Sequence, residues 1–146
     1  MKKIALRDDW KTTPLPAQRK VLALDRLYTP EEFNRIAAGV RPGGMECKWF
    51  IFHEEPWLYL HRSWTGFCIY QVRFEPMNGQ YRVVEVLVSR DPTQYGSTND
   101  RRDILLLAIL LDRLAGRDCE PLKREFHLIN QQQTAEVQQI NCGKKA

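Results

Sequence analysis

An α+β domain built on a four-stranded antiparallel meander is the fold this sequence predicts, on three observations. Two aromatic-rich pairs of strand-like runs follow one another between Lys48 and Ser89, each pair joined by a short turn. An unbroken apolar block from Ile104 to Leu111 predicts one long helix buried across the sheet. A capped amphipathic stretch after Thr29 predicts a second, short helix packed on it. At 146 residues the chain fits a single domain, large enough to bury roughly two-thirds of its unfolded surface without staples.

Taken in order, residues 1–20 carry Pro14 and Pro16 among threonines and charges and read as an irregular arm, with Trp10 and Leu15 as anchors onto the body. Val21 to Leu24 suits a short strand or a turn of helix equally. Thr29 then serves as N-cap, Pro30 suits the first helical position and Glu32 can reach back in a capping box. Phe33, Ile36, Ala37 and Val40 form one apolar stripe, and Gly39 with Pro42-Gly43-Gly44 ends the helix. Lys48 to His53 and Trp57 to Arg62 make a hairpin around Glu54-Glu55-Pro56. Phe67 to Glu75 and Tyr81 to Ser89 make another, around Asn78-Gly79, which supplies the positive φ angles a tight turn needs. In the last strand, alternation predicts Val84, Val86 and Val88 on one face. The buried helix runs from about Arg101 to Ala115, is capped from the polar loop 91–100 and ends at Gly116. Leu122 to Ile129 adds a short ordered segment. The domain therefore spans 1–129, and the Gln-rich stretch 130–146 reads as a disordered tail.

Several function classes are disfavoured by composition. Cys47, Cys68, Cys119 and Cys142 stand far apart with no CxxC pair, so no zinc site or other metal is expected, and the thiols read as reduced and partly buried in a cytosolic protein. Arg7-Asp8-Asp9 cuts the first apolar run short of an export signal, and no apolar run approaches the ~20 residues of a membrane helix. The net charge of +4 permits an anionic ligand without forming a basic stripe. Lys48, Arg62, Arg73 and Arg82 among the aromatic strands suggest a single-strand nucleic-acid binder, a reading ranked last because no RNP-like motif occurs.

Two groups of residues carry candidate chemistry. In the first, His61-Arg62-Ser63-Trp64-Thr65-Gly66, strand alternation puts His61 with Trp57 and Tyr59 on one face and Arg62 with Leu58 and Leu60 on the other. Arg62, Ser63, Thr65 and the backbone of the turn would grip a phosphate or carboxylate, and Trp64 or Tyr59 would stack on a planar group. His61 is the candidate proton donor or acceptor, should chemistry occur. Against these roles stands a structural one: Arg62 paired with an acid such as Glu85, the hydroxyls bonding their own turn and Trp64 filling core. The second group, Arg90 with Arg101 and Arg102 behind Ser97-Thr98-Asn99, offers an anion site at a helix N-terminus, unless Arg101 and Arg102 are solvated or paired with Asp103.

The runs Met45 to Phe52 and Trp57 to Tyr70 resemble a small bacterial domain of unassigned function, whose segments occur alone and beside ADP-ribosylglycohydrolase domains. The resemblance covers about the middle third of the chain. It implies an association with ADP-ribose or NAD chemistry and transfers no catalytic residue. The glycohydrolase's paired metal-binding acidic motifs are absent. The expectation is a small domain that binds or processes a phosphate-bearing, nucleotide-type ligand without a cofactor. The alternative is a protein-interaction module, an immunity or accessory subunit that covers a partner enzyme with its aromatic face.

Overall fold

The structure, a computed structural model, describes residues 4–43 and 47–129. Its strands are β1 (Arg19–Leu22), β2 (Leu27–Tyr28), β3 (Trp49–Glu54), β4 (Trp57–Arg62), β5 (Cys68–Met77) and β6 (Gln80–Ser89). Its helices are α1 (Pro30–Ala38), α2 (Asp100–Ala115) and α3 (Glu120–Ile129). The fold is α+β, and β3 to β6 form the expected antiparallel meander. Six strands replace the predicted four, because β1 and β2 both pair with the outer side of β6, at Val86 to Ser89 and at Tyr81 and Arg82 respectively. Neither stretch is long enough to show a period of its own; the unpaired edge of β6 makes them strands. The third helix, α3, arises where Leu122, Phe126 and Ile129 fall on one face and pack on the core. The tail expected at 130–146 lies outside the described residues.

Both faces of the sheet are covered. On one, Trp49, Ile51, Leu58, Leu60, Val72 and Phe74 join α2 in the main core. α2 has no polar face because α1 and α3 flank it on the sides the sheet leaves open. Leu106, Leu107, Ile109, Leu110 and Leu111 are fully buried, each contributing about 2 kcal/mol by transfer from water. On the opposite face, Phe50 and Phe52 lie against Ala5, and Cys68 and Leu87 against Leu15, so the N-terminal arm forms the second layer.

Two register shifts decide which side chains face the helix. Leu60 pairs with Tyr70 and His61 with Cys68, so Ile69 is the extra residue and both Ile69 and Tyr70 enter the main core. Likewise Arg73 pairs with Glu85 and Phe74 with Val83, which leaves Val84 as the extra residue of β6. The expected face of Val84, Val86 and Val88 is therefore corrected to Val83, Val86 and Val88, and Val84 is 38% exposed.

Local chemistry agrees with the reading of α1. The Thr29 hydroxyl accepts from Glu32 N–H at 3.1 Å, and the Glu32 carboxylate accepts from Thr29 N–H at 3.0 Å. At its other end Gly39 has φ +75°, and a Cβ there would stand 2.1 Å from the Ile51 carbonyl. Only glycine lets Val40 bridge to the outer edge of β3. The cysteines correct one expectation. Cys68 and Cys119 are free and buried, but Cys47 is disulfide-bonded, a pairing that sequence spacing does not reveal.

The shift at Val84 is testable by matched substitutions. Val83→Lys should prevent folding or cost several kcal/mol, whereas Val84→Lys should change stability by no more than about 0.5 kcal/mol, as read from urea midpoints.

Candidate functional site

The turn between β4 and β5 is clamped from behind. Ser63 N–H donates to Lys48 O at 2.8 Å, and Gly66 N–H to Arg62 O at 2.8 Å. From the arm, the Trp10 indole donates to Ser63 O at 2.6 Å and Thr13 N–H to Gly66 O at 2.7 Å. Gly66 has φ +82°, and a Cβ there would lie 3.1 Å from Lys11 O, so its backbone meets the arm directly. The Ser63 hydroxyl is buried and donates to Cys47 O. Thr65 stays exposed, its hydroxyl accepting from Phe67 N–H at 3.2 Å. Much of the hydrogen-bonding capacity expected to grip an anion is thus spent within the chain.

Alternation through β4 separates the other candidates. His61 and Tyr59 lie on the arm side of the sheet, where His61 stacks on Phe52 with ring centroids 5.5 Å apart and Tyr59 stacks on the same ring at 5.0 Å. His61 Nδ1 is 2.9 Å from Gly66 O; a carbonyl only accepts, so Nδ1 carries the proton and Nε2 the lone pair. That Nε2 is buried without a hydrogen-bond partner. Burial lowers the His61 pKa, and the Arg7 guanidinium lowers it further against the opposing pull of the Gly66 carbonyl. Glu54, one of the carboxylates considered for it, is held by Arg7 instead, through two bonds of 2.7 and 3.0 Å. His61 is a neutral ring inside an aromatic layer, away from the Arg62 side.

On the helix side, Arg62 lies over the Trp49 ring at 4.9 Å and the Tyr95 ring at 5.9 Å. Glu85 pairs with Arg73, which also holds Glu75. Arg73 stands opposite Trp57 in the β4–β5 register, on the face of β4 that carries His61, so Arg62 and Arg73 belong to opposite faces and the four strand cations form no single track. Arg62, Trp64 and Thr65 meet Lys48, Gln94, Tyr95 and Gly96 around one cleft of about 290 Å³. Trp64 is 58% exposed at its mouth, with Lys48 Nζ 6.0 Å from its ring.

The loop wall of this cleft is fixed by a buried polar cluster. Asp103, fully buried in the first turn of α2, accepts through Oδ1 from Tyr70 at 2.7 Å and from Tyr95. Through Oδ2 it meets Arg90 at 2.8 Å and Ser97 at 3.3 Å. Arg102 donates to the Tyr95 hydroxyl at 3.0 Å and lies over Phe126 at 5.3 Å. Burial, reinforced by Asp103, pushes the Tyr95 phenol up to about 12, and burial raises Tyr70 well above its ordinary value, so both remain donors. For Arg90, burial opposes the charge, but its bonds to Asp100 and Asp103 outweigh that and raise its pKa. Arg90 does not line the cleft; it supports the loop wall through Asp103 and through the Ser97 carbonyl, to which it donates at 3.2 Å. Arg101 points away and pairs with Glu125 on α3.

Arg62, Trp64 and Thr65 therefore converge, while Tyr59, His61, Ser63 and Arg101 do not join them. Gln94 and Tyr95 were missing from the sequence reading, and Asp103 entered it only as a possible partner of Arg101 and Arg102. The available signal was Asp103 itself, an acid abutting an apolar block too continuous to leave its flanks in solvent. Among the described residues, no group of three or more His, Cys, Asp or Glu side chains is arranged to hold a metal, and no helix is long and apolar enough to cross a membrane. No protein-family model, curated protein or solved structure matches the chain.

Two outcomes are expected. Asp103→Asn should cost roughly 3 kcal/mol in guanidinium unfolding, near the lower end for a broken buried pair because Arg90 keeps Asp100. Stability should also fall as pH drops through about 6.5 toward the lowered His61 value, since the unfolded chain binds the proton more readily there. His53, lowered mainly by burial, acts in the same direction, so His61→Phe should flatten this part of the profile without abolishing it.

Proposed function

We propose that this chain is a small binding domain for a phosphate-bearing, nucleotide-type ligand, held in the cleft between the β4–β5 turn and the loop that precedes α2. The observation that carries this reading is the meeting of two cations, Arg62 and Lys48, with the exposed ring of Trp64 around one concavity. Arg62 and Lys48 favour the anion, Trp64 stacks on a planar group, and Thr65 adds a hydroxyl. A volume of about 290 Å³ suits a phosphate with one ring system and is too small to enclose a dinucleotide. The resemblance of the middle third places ADP-ribose and NAD among the first probes, with part of either ligand outside the cleft. His61 has no place in this reading, which is one of binding.

A second reading, a protein-interaction module, draws on Trp10 and Trp64, 39% and 58% exposed on either side of Ser63. Titration calorimetry with ADP-ribose, NAD, ATP and adenosine monophosphate separates the two. Binding by one of these should weaken about tenfold or more in Arg62→Ala. It should likewise weaken in Gly96→Leu, whose added Cβ meets no atom within 4 Å and so occupies the cleft without disturbing the fold. No heat with any probe at millimolar concentration would end the ligand reading and favour the interaction module.

A further inference from the structure

We infer that the N-terminal arm from Ala5 to Leu15 is a pH-sensitive strap: when His61 takes up a second proton, the arm lifts from the sheet and uncovers the aromatic layer of Phe50, Phe52 and Tyr59. The inference is independent of what the cleft binds. The strand register places Phe50 of β3 and Cys68 of β5 on either side of His61. The arm lies over both neighbours, Ala5 packing with Phe50 and Leu15 with Cys68, and His61 is 2% exposed. Arm and imidazole also share an acceptor, since Gly66 O takes the His61 Nδ1 proton at 2.9 Å and Thr13 N–H at 2.7 Å. The other ring nitrogen, Nε2, is buried with no hydrogen-bond partner. A neutral ring tolerates that place, whereas a charged ring with an unmet N–H is strongly disfavoured there.

The charges on this side of the sheet do not help the imidazolium. From the arm come two cations, Arg7 over the Phe52 and Tyr59 rings at 4.8 and 5.1 Å and Lys11 against Gly66. Glu54, at the end of β3, is held by Arg7, and Asp9 by Arg41 and Leu6 N–H. On β5, burial pushes the Cys68 thiol up to about 12, so it stays neutral, and the charge it feels is that of Arg19. Lifting the arm admits water to Nε2 and leaves the main core intact. The ties it breaks are Ala5 N–H to Ala38 O at 2.8 Å, Trp10 to Ser63 O at 2.6 Å, Thr13 N–H to Gly66 O and the half-exposed pair of Arg7 and Glu54. The α2 layer on the other face takes no part in them. A segment held this thinly opens well before the whole domain unfolds. With it goes the clamp behind the turn that carries Trp64 and Thr65.

The test is amide hydrogen exchange on the whole chain, followed by NMR and corrected for the intrinsic pH dependence of exchange. The open arm leaves His61 its ordinary proton affinity and the closed arm lowers it, so acid favours the open form. Protection of Ala5 and Thr13 N–H should begin to fall below about pH 6.5, lose about fivefold or more by about pH 5 and level off once the His61 ring signals have titrated. The amides of Leu107 to Leu111 in α2 should keep their protection throughout. In His61→Gln and His61→Phe, which cannot take up the proton, arm protection should no longer depend on pH. His53 remains in both variants and belongs to the other face, against Phe33 of α1, so it serves as an internal control. Three results would each overturn the strap: arm protection in the wild type that does not change with pH, a loss that does not follow the His61 ring signals or persists in both variants, or arm and α2 amides losing protection together.

Discussion

The Asp103 carboxylate, out of reach of water in the first turn of α2, accepts from Tyr70 on β5 and Tyr95 in the preceding loop and pairs with Arg90 just past β6. A lone carboxylate in such a place would be strongly unfavourable; here hydroxyl donors and a guanidinium occupy its acceptor positions. Because those donors come from separate segments, the arrangement exists only when sheet, loop and helix meet at one relative placement. Apolar packing alone would tolerate a helix that slides or rotates slightly on the sheet. The polar cluster removes that freedom, and it does so at the end of α2 nearest the cleft.

The cleft follows from this anchoring and from the clamp behind the β4–β5 turn. Tyr95 is held on one side by Asp103 and meets Arg62 with its ring on the other, so this aromatic residue links the loop wall to the strand wall. The arm secures Ser63 and Gly66 by their carbonyls from the far side of the sheet. What faces the near side is the Trp64 ring, beside Lys48, and Thr65, whose hydroxyl also accepts from Phe67 N–H. Division of the turn between inward bonds and outward groups is what allows so short a segment to serve stability and recognition together.

Sequence patterning made the meander, α1 and α2 legible, because each is long enough for its hydrophobic period or its caps to appear in the chain. Thr29 and Glu32 take up the reciprocal capping bonds their spacing implies. Tertiary context produced what was not legible. β1 and β2 are strands because β6 offers an edge, and Val84 faces outward because a single inserted residue reverses the alternation beyond it. At the site, Arg62, Trp64 and Thr65 were readable as neighbours on one turn. Their partners Gln94 and Tyr95 lie about thirty residues further on, in a loop whose position depends on the Asp103 cluster. His61 illustrates the converse. It and Arg62 were both candidates for one site although strand alternation already put them on opposite faces, and the pleat of the strand does send the His61 ring and the Arg62 guanidinium to opposite sides of the sheet.

The broken outer strand beside β6 has a consequence for the protein in concentrated solution. β1 and β2 together make an edge of only four and two residues, interrupted where Val83 N–H turns to Arg26 O, and the first of them carries Arg19 and Lys20 outward. At the opposite margin Val40 occupies the backbone groups of Ile51 that a visiting strand would need. A second molecule approaching either side therefore finds too short a template to zip onto, and like charge on one of them. In a chain this rich in aromatic strands, such ragged borders disfavour the edge-to-edge strand pairing from which fibrils grow.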